Sequence, residues 1–145
     1  MKHILVSACL LGISCKYNGG HNDAPQIKAL MDHPDLCLIP VCPEQLGGLP
    51  TPRLPSECSG TSVIQINGCD VTEAFHKGAA EALRIAKQYH CQTAILKARS
   101  PSCGFGKIYD GTFTQTLTDG MGITASYLHK ENIRILNETM IDEIE

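Results

Sequence analysis

No stretch of this sequence approaches the roughly 20 consecutive apolar residues that a membrane-spanning helix requires. Met1-Lys2-His3 leads straight into the apolar run Ile4-Leu5-Val6 rather than through a secretory signal. No membrane partner is expected, and the location read from this is cytoplasmic. Positive charge is also short, with 12 Lys and Arg against 15 Asp and Glu and a net charge of -3. Long nucleic acids bind proteins chiefly by releasing counterions to Lys and Arg, so none is expected here and any nucleotide partner is small. There is no C-x-x-C pair, which disfavours zinc ribbons and fingers, and no C-x2-C-x2-C run of the ferredoxin kind. The histidines, at 3, 21, 33, 76, 90 and 129, never form H-x-x-x-H, and the H-x-E with P-C-x-x-C of zinc deaminases is missing. Neither G-x-G-x-x-G nor a P-loop is present, and no internal repeat or linker divides the chain. At 145 residues, residues 1–145 read as a single domain able to bury roughly 70% of its unfolded surface.

What the chain does have is apolar punctuation. Strands are predicted over 3–7, 36–41, 93–98 and 133–136, and helices over 24–32, 72–89, 121–131 and 139–144. The helix at 72–89 has Thr72 as its predicted N-cap and a face of Ala74, Phe75, Gly78, Ala79, Ala82, Leu83 and Ala86, narrow enough to pack close against a sheet. Ser62 to Ile66 followed by Asn67-Gly68 predicts an accessory hairpin over 62–71. Alternating strands and helices give an α/β class: a three-layer, Rossmann-like fold with a mostly parallel sheet and right-handed crossovers.

Eight cysteines are present, too many to ignore and, in a reducing compartment, not a disulfide framework. Cys9 follows Ile4-Leu5-Val6, Cys42 follows Leu38-Ile39-Pro40-Val41, and Cys103 lies a few residues past Ala94-Ile95-Leu96. In an open α/β sheet, ligands bind outside the carboxyl ends of the strands, so these three thiols can meet at one crevice. Each also stands near the start of a long connection, 8–23, 42–60 or 99–118, and long loops in compact domains tend to be functional. Thiolate is a soft donor, so an iron–sulfur cluster or zinc is the expected occupant. Packing competes with ligation for any one of them, because free cysteine is among the most buried residue types. Cys37, inside a strand, is read as packing, and Cys58, Cys69 and Cys91 as structural. Cys15 is close enough to Cys9 in sequence to reach the same site.

Glu44, two positions past Cys42, suits proton transfer at the mouth of such a site, against the alternative of a surface acid or helix cap. Ser100 and Ser102 flank Pro101 beside Cys103 and can bond a cluster sulfur, a substrate or their own turn. Arg53, in the stiff Pro50-Thr51-Pro52-Arg53 segment, and Lys97 and Arg99 suit a phosphate, against ordinary solvated surface.

Five segments carry a family resemblance: Val6-Ser-Ala-Cys-Leu-Leu-Gly12, Tyr17-Asn-Gly-Gly-His21, Val41-Cys-Pro-Glu-Gln-Leu-Gly-Gly-Leu-Pro-Thr-Pro-Arg53, Lys97-Ala-Arg-Ser-Pro-Ser-Cys-Gly104 and Ile108-Tyr-Asp-Gly-Thr-Phe113. In this order they resemble the thiouracil desulfidase (TudS) family from Val6 to about Glu138. The resemblance implies a catalytic 4Fe-4S cluster on Cys9, Cys42 and Cys103, its fourth iron free of protein ligands. It implies Glu44 and Ser100 as catalytic helpers; Ser102 and Arg53, from their own positions in the chain, are read as substrate-binding residues. The implied reaction converts a thiolated pyrimidine, thiouracil or 4-thiouridine monophosphate, to uracil or its nucleotide plus sulfide without net electron transfer. Cys15 stands where many relatives carry another residue. Two other readings stay open: a non-catalytic zinc or iron–sulfur domain, and a persulfide or redox protein acting through Cys9 or Cys103 directly.

Overall fold

Strand β1, Lys2–Ser7, is buried without interruption at Ile4, Leu5 and Val6. Unbroken burial, rather than alternation, is what a parallel strand covered on both faces requires. The computed structural model, which describes residues 1–144, bears this out. After β1 come a 3-10 turn at Ala8–Leu11, helix α1 at Pro25–Lys28 with a 3-10 turn at Ala29–Asp32, and strand β2 at Leu36–Val41. Helix α2, Pro43–Leu46, leads to the hairpin of β3, Ser56–Ser59, and β4, Ser62–Gln65. Helix α3, Thr72–Gln88, returns to strand β5, Thr93–Leu96. A second ribbon of β6, Phe105–Tyr109, and β7, Leu117–Met121, precedes helix α4, Ile123–Lys130, and strand β8, Arg134–Asn137.

The main sheet has the order β2-β1-β5-β8 and is wholly parallel, with Lys2 opposite Leu36, Ile4 opposite Thr93 and Thr93 opposite Arg134. On one face Leu5, Ala94, Leu96 and Ile135 pack with Ala86 of α3 and Leu128 of α4. On the other, Ile4, Val6, Ile95 and Leu136 pack with Leu10 and with Ile27 of α1. The result is the expected three-layer α/β fold. No helix of the described residues is long and apolar enough to cross a membrane.

Several boundaries differ from the sequence reading. The strand predicted over 93–98 stops at Leu96, because Lys97 N–H donates to Ser7 Oγ at 2.9 Å and Ala98 N–H to Glu138 Oε1 at 2.8 Å. The helix over 24–32 divides into α1 and a 3-10 turn, and that over 139–144 reduces to a 3-10 turn at Ile141–Glu143. The Asn67-Gly68 turn forms, but β4 takes its main partner upstream in β3, leaving a single bridge from Ile64 to Asp70. The N-cap of α3 is Val71, not Thr72, and Asp70 Oδ1, one residue earlier, accepts the Thr72 N–H at 2.9 Å. The ribbon β6–β7 lies inside the segment read as a loop over 99–118.

One contact fixes α2 against α3. A Cβ on Gly47 would stand 2.0 Å from the Ala74 carbonyl oxygen, and one on Gly78 1.8 Å from that of Pro43. Glycine inside a helix costs about 1 kcal/mol relative to alanine, and at Gly78 the cost is offset by letting two backbones touch.

Candidate active site

The chain reaches β2 from β1 across one face of the sheet and β5 across the other, so its winding reverses between β1 and β5. Covering elements diverge at such a point and leave a crevice at the strand C-termini. Here it is a cavity of about 770 Å³, and Cys9, Cys42 and Cys103 all line it. Cys9 sits in the 3-10 turn after β1 and Cys42 at the N-cap of α2 directly after β2. Cys103 sits in the turn after β5, held by its N–H donating to Ser100 Oγ at 3.1 Å.

The thiols are not equivalent. Burial pushes Cys103 up to about 12, partly opposed by a hydrogen bond from Ser7, and raises Cys9, which is bonded by the Asn22 side chain. Cys42 is held down at about 6, chiefly by a hydrogen bond from the Cys15 thiol and further by the Gln45 N–H and the Arg53 guanidinium. The same contact drives Cys15 upward, since it must keep its proton to donate. Cys15 therefore lies in the crevice, against Cys42. Cys58 and Cys91 pack in the core, and Cys69 is exposed.

Beside the thiols runs a polar chain. Arg53 Nε donates to Glu44 Oε1 at 2.9 Å, Ser102 Oγ donates to Glu44 Oε2 at 2.9 Å, and Ser100 Oγ lies 3.0 Å from Ser102 Oγ. Ser102 spends its single proton on the carboxylate, so Ser100 is the donor to Ser102. Ser100 Oγ also accepts the N–H groups of Ser102 and Cys103, both at 3.1 Å, and is thereby the pin of this turn. The Arg53 side chain is only 4% exposed. Its other donors go to Pro50 O, Thr51 Oγ1 and Cys15 O, so it faces the protein more than the cavity. Lys97 is likewise occupied, by Glu138 at 3.0 Å and Ala98 O, whereas Arg99 lines the cavity with no acidic partner among the described residues.

Sequence reasoning missed Ser7 and Asn22, which touch Cys103 and Cys9, and Glu57, whose Oε1 accepts the N–H groups of Gly111 at 2.9 Å and Phe113 at 3.1 Å. Ser7 was findable as the last residue of β1, where the side chain faces the crevice end. Asn22 and Glu57 depend on loop folding that no periodicity reports.

Among the described residues no three His, Cys, Asp or Glu side chains converge closely enough to hold one metal ion. Cys9, Cys42 and Cys103 nevertheless share one cavity wall. Soft thiolate donors of this kind suit an iron–sulfur group or zinc.

A family model described as 2-thiouracil desulfurase matches residues 4–140. An uncharacterized protein of Bacillus subtilis (strain 168), YbbK, is 40% identical over 151 residues, covering 97% of this chain and 99% of the relative. A solved structure of a 4Fe-4S-dependent thiouracil desulfidase, TudS, matches with a TM-score of 0.92 and 38% identity, over 99% of this chain and 95% of that one.

Proposed function

Since the chain belongs to the 2-thiouracil desulfurase family, we propose that it is an iron–sulfur-dependent desulfidase converting thiouracil or 4-thiouridine monophosphate to uracil or its nucleotide plus sulfide. A 4Fe-4S cluster would be held by Cys9, Cys42 and Cys103. The observation that supports this reading is that three thiols, carried on the segments that follow β1, β2 and β5, line one cavity together with Glu44. When bound, the cluster supplies an iron free of protein ligands, a Lewis acid toward the thiocarbonyl sulfur.

The remaining steps belong to side chains. Exchanging C=S for C=O consumes one water: a carbon–oxygen bond forms, the carbon–sulfur bond breaks, and both water protons leave with the sulfide. No electron is transferred to or from an outside partner. A base must therefore take a proton from water and a donor must return it. Glu44 accepts hydrogen bonds at both carboxylate oxygens, as a base does before reaction, and Arg53 fixes its plane. Ser102 is the hydroxyl in contact with the carboxylate, with Ser100 behind it as a second donor, so the two serines form a path along which a proton is relayed. Arg53 is a positioning residue in this scheme. Residues 1–145 act as one desulfidase domain, and a cytoplasmic setting, which keeps thiols reduced, suits such chemistry.

The test is anaerobic reconstitution followed by iron and acid-labile sulfide analysis and a sulfide-release assay with 2-thiouracil and 4-thiouridine monophosphate. Equal iron and sulfide with turnover of either compound is expected. A protein that binds zinc alone, or that holds a cluster and turns over neither compound, would overturn the proposal.

A further inference from the structure

Five non-glycine residues among those described have positive φ: His90, Arg99, Phe113, Gln115 and Asn132. His90 and Asn132 follow the ends of α3 and α4, where left-handed residues are ordinary. Arg99, Phe113 and Gln115, with φ of 70°, 59° and 60°, all line the active-site cavity. For a bulky side chain such a backbone is strained, and glycine would fill the same turn without cost, as Gly111 does in the same loop at φ 95°.

Phe113 and Gln115 sit in the loop joining β6 to β7, and this loop is built to hold them. Buried Glu57, reaching from β3, accepts the N–H of Phe113 and of Gly111 with one oxygen. Asp110 N–H donates to Thr116 O at 2.9 Å, and Asp110 Oδ1 accepts from Thr112. The strain brings little packing in return: Phe113 is half-buried and part of no core cluster among the described residues, and Gln115 is exposed on the cavity wall. A loop pinned by Glu57 and by its own turn, placing an aromatic ring and a primary amide on the wall of a cavity, suits a ligand that is flat and carries hydrogen-bonding groups along one edge.

Resting on the desulfidase reading, we propose that Phe113 and Gln115 are the base-recognition residues of the crevice, Phe113 stacking on the pyrimidine ring and Gln115 pairing with its carbonyl and adjacent N–H. A primary amide offers a donor and an acceptor side by side, the complement of that edge. In uracil the N3–H lies between two carbonyl positions. One carbonyl and the N3–H therefore remain for Gln115 whether sulfur occupies the other position in a 2-thio or a 4-thio compound.

The test uses the reconstituted wild-type protein and uracil, which contains no sulfur, with binding read by calorimetry. Uracil should bind, and 3-methyluracil, which lacks the N3–H, should bind about tenfold more weakly. Phe113→Leu should weaken uracil about tenfold, the usual scale for loss of a base stack, while Phe113→Tyr retains it. Gln115→Ala should weaken uracil and bring its affinity to that of 3-methyluracil. Iron content and circular dichroism should match wild type in each variant. Unchanged uracil affinity in both Phe113→Leu and Gln115→Ala, or no discrimination by wild type, overturns the assignment. Sulfide release by wild type, measured on the same preparation, keeps the two readings apart: if it is intact while the affinities do not move, only the recognition residues fall.

Discussion

Ser102 Oγ donates to Glu44 Oε2 at 2.9 Å, joining a residue after β5 to one after β2 across the mouth of the crevice. The contact makes Glu44 and the Cys103 turn one polar unit, and it identifies Ser102 as the hydroxyl nearest the carboxylate. Glu44→Gln keeps the size and polarity of the side chain and removes its ability to take a proton. We expect full iron content and a desulfuration rate lower by about 10²- to 10⁴-fold. Near wild-type sulfide release from a fully loaded variant would remove Glu44 from the reaction.

The cysteines divide into ligands and a neighbour. Cys42→Ala is expected to lose the cluster, while Cys15→Ala retains it, as read by iron content and visible absorbance after identical reconstitution. Equal loss from the two would make Cys15 a fourth ligand and leave no iron open to substrate.

In the cluster-free protein the eight thiols should differ sharply in reactivity. Cys42, lowered by its contact with the Cys15 thiol, is expected to be the more ionised at neutral pH, whereas Cys103, pushed up by burial to about 12, is expected to stay protonated. Thiolate is the nucleophile, so iodoacetamide should modify Cys42 first, and its rate should fall as pH drops through about 6. In Cys15→Ala the donor is gone, and the midpoint should move up toward that of an ordinary thiol. Peptide mapping of the alkylated protein checks both expectations.

Arg53 and Glu44 form an ion pair whose side chains are 4% and 15% exposed. Removing one member of a buried pair leaves the other charge uncompensated, so Arg53→Met should destabilise the protein by about 3 kcal/mol. Arg53→Lys recovers only part, because an ammonium cannot reach Glu44, Thr51 and the Cys15 carbonyl at once. Urea unfolding of the two variants provides the measurement.

The elements legible in the sequence are those whose burial is written locally. Ile4-Leu5-Val6 and the small-residue face of α3 declare themselves, and strand ends place Cys9 and Cys42 at the crevice without further information. The ribbon β6–β7 does not, because most of its residues are exposed and it is held by strand pairing and the single buried Ile108 rather than by an apolar pattern. The end of β5 depends on Ser7 and Glu138, far away in sequence. Ser100 and Ser102 are alike on paper; only the turn around Pro101 decides which one meets the carboxylate. Arg53 reads as a free cation until the loop folds back and spends its donors on Glu44 and Cys15.

The contact between Gly47 and Gly78 reaches further than packing. Four residues of helix have no stiffness of their own, so α2 takes its position from the 17-residue α3 through that one touching point. Cys42 and Glu44 travel with α2 as a block. Gly78, between the two helices and outside the cavity lining, is thus a remote adjuster of both: a methyl group there would shift thiol and carboxylate together by a fraction of an ångström or more. A map of tolerated substitutions should show this glycine as intolerant as a ligand, though no view into the crevice would reveal it.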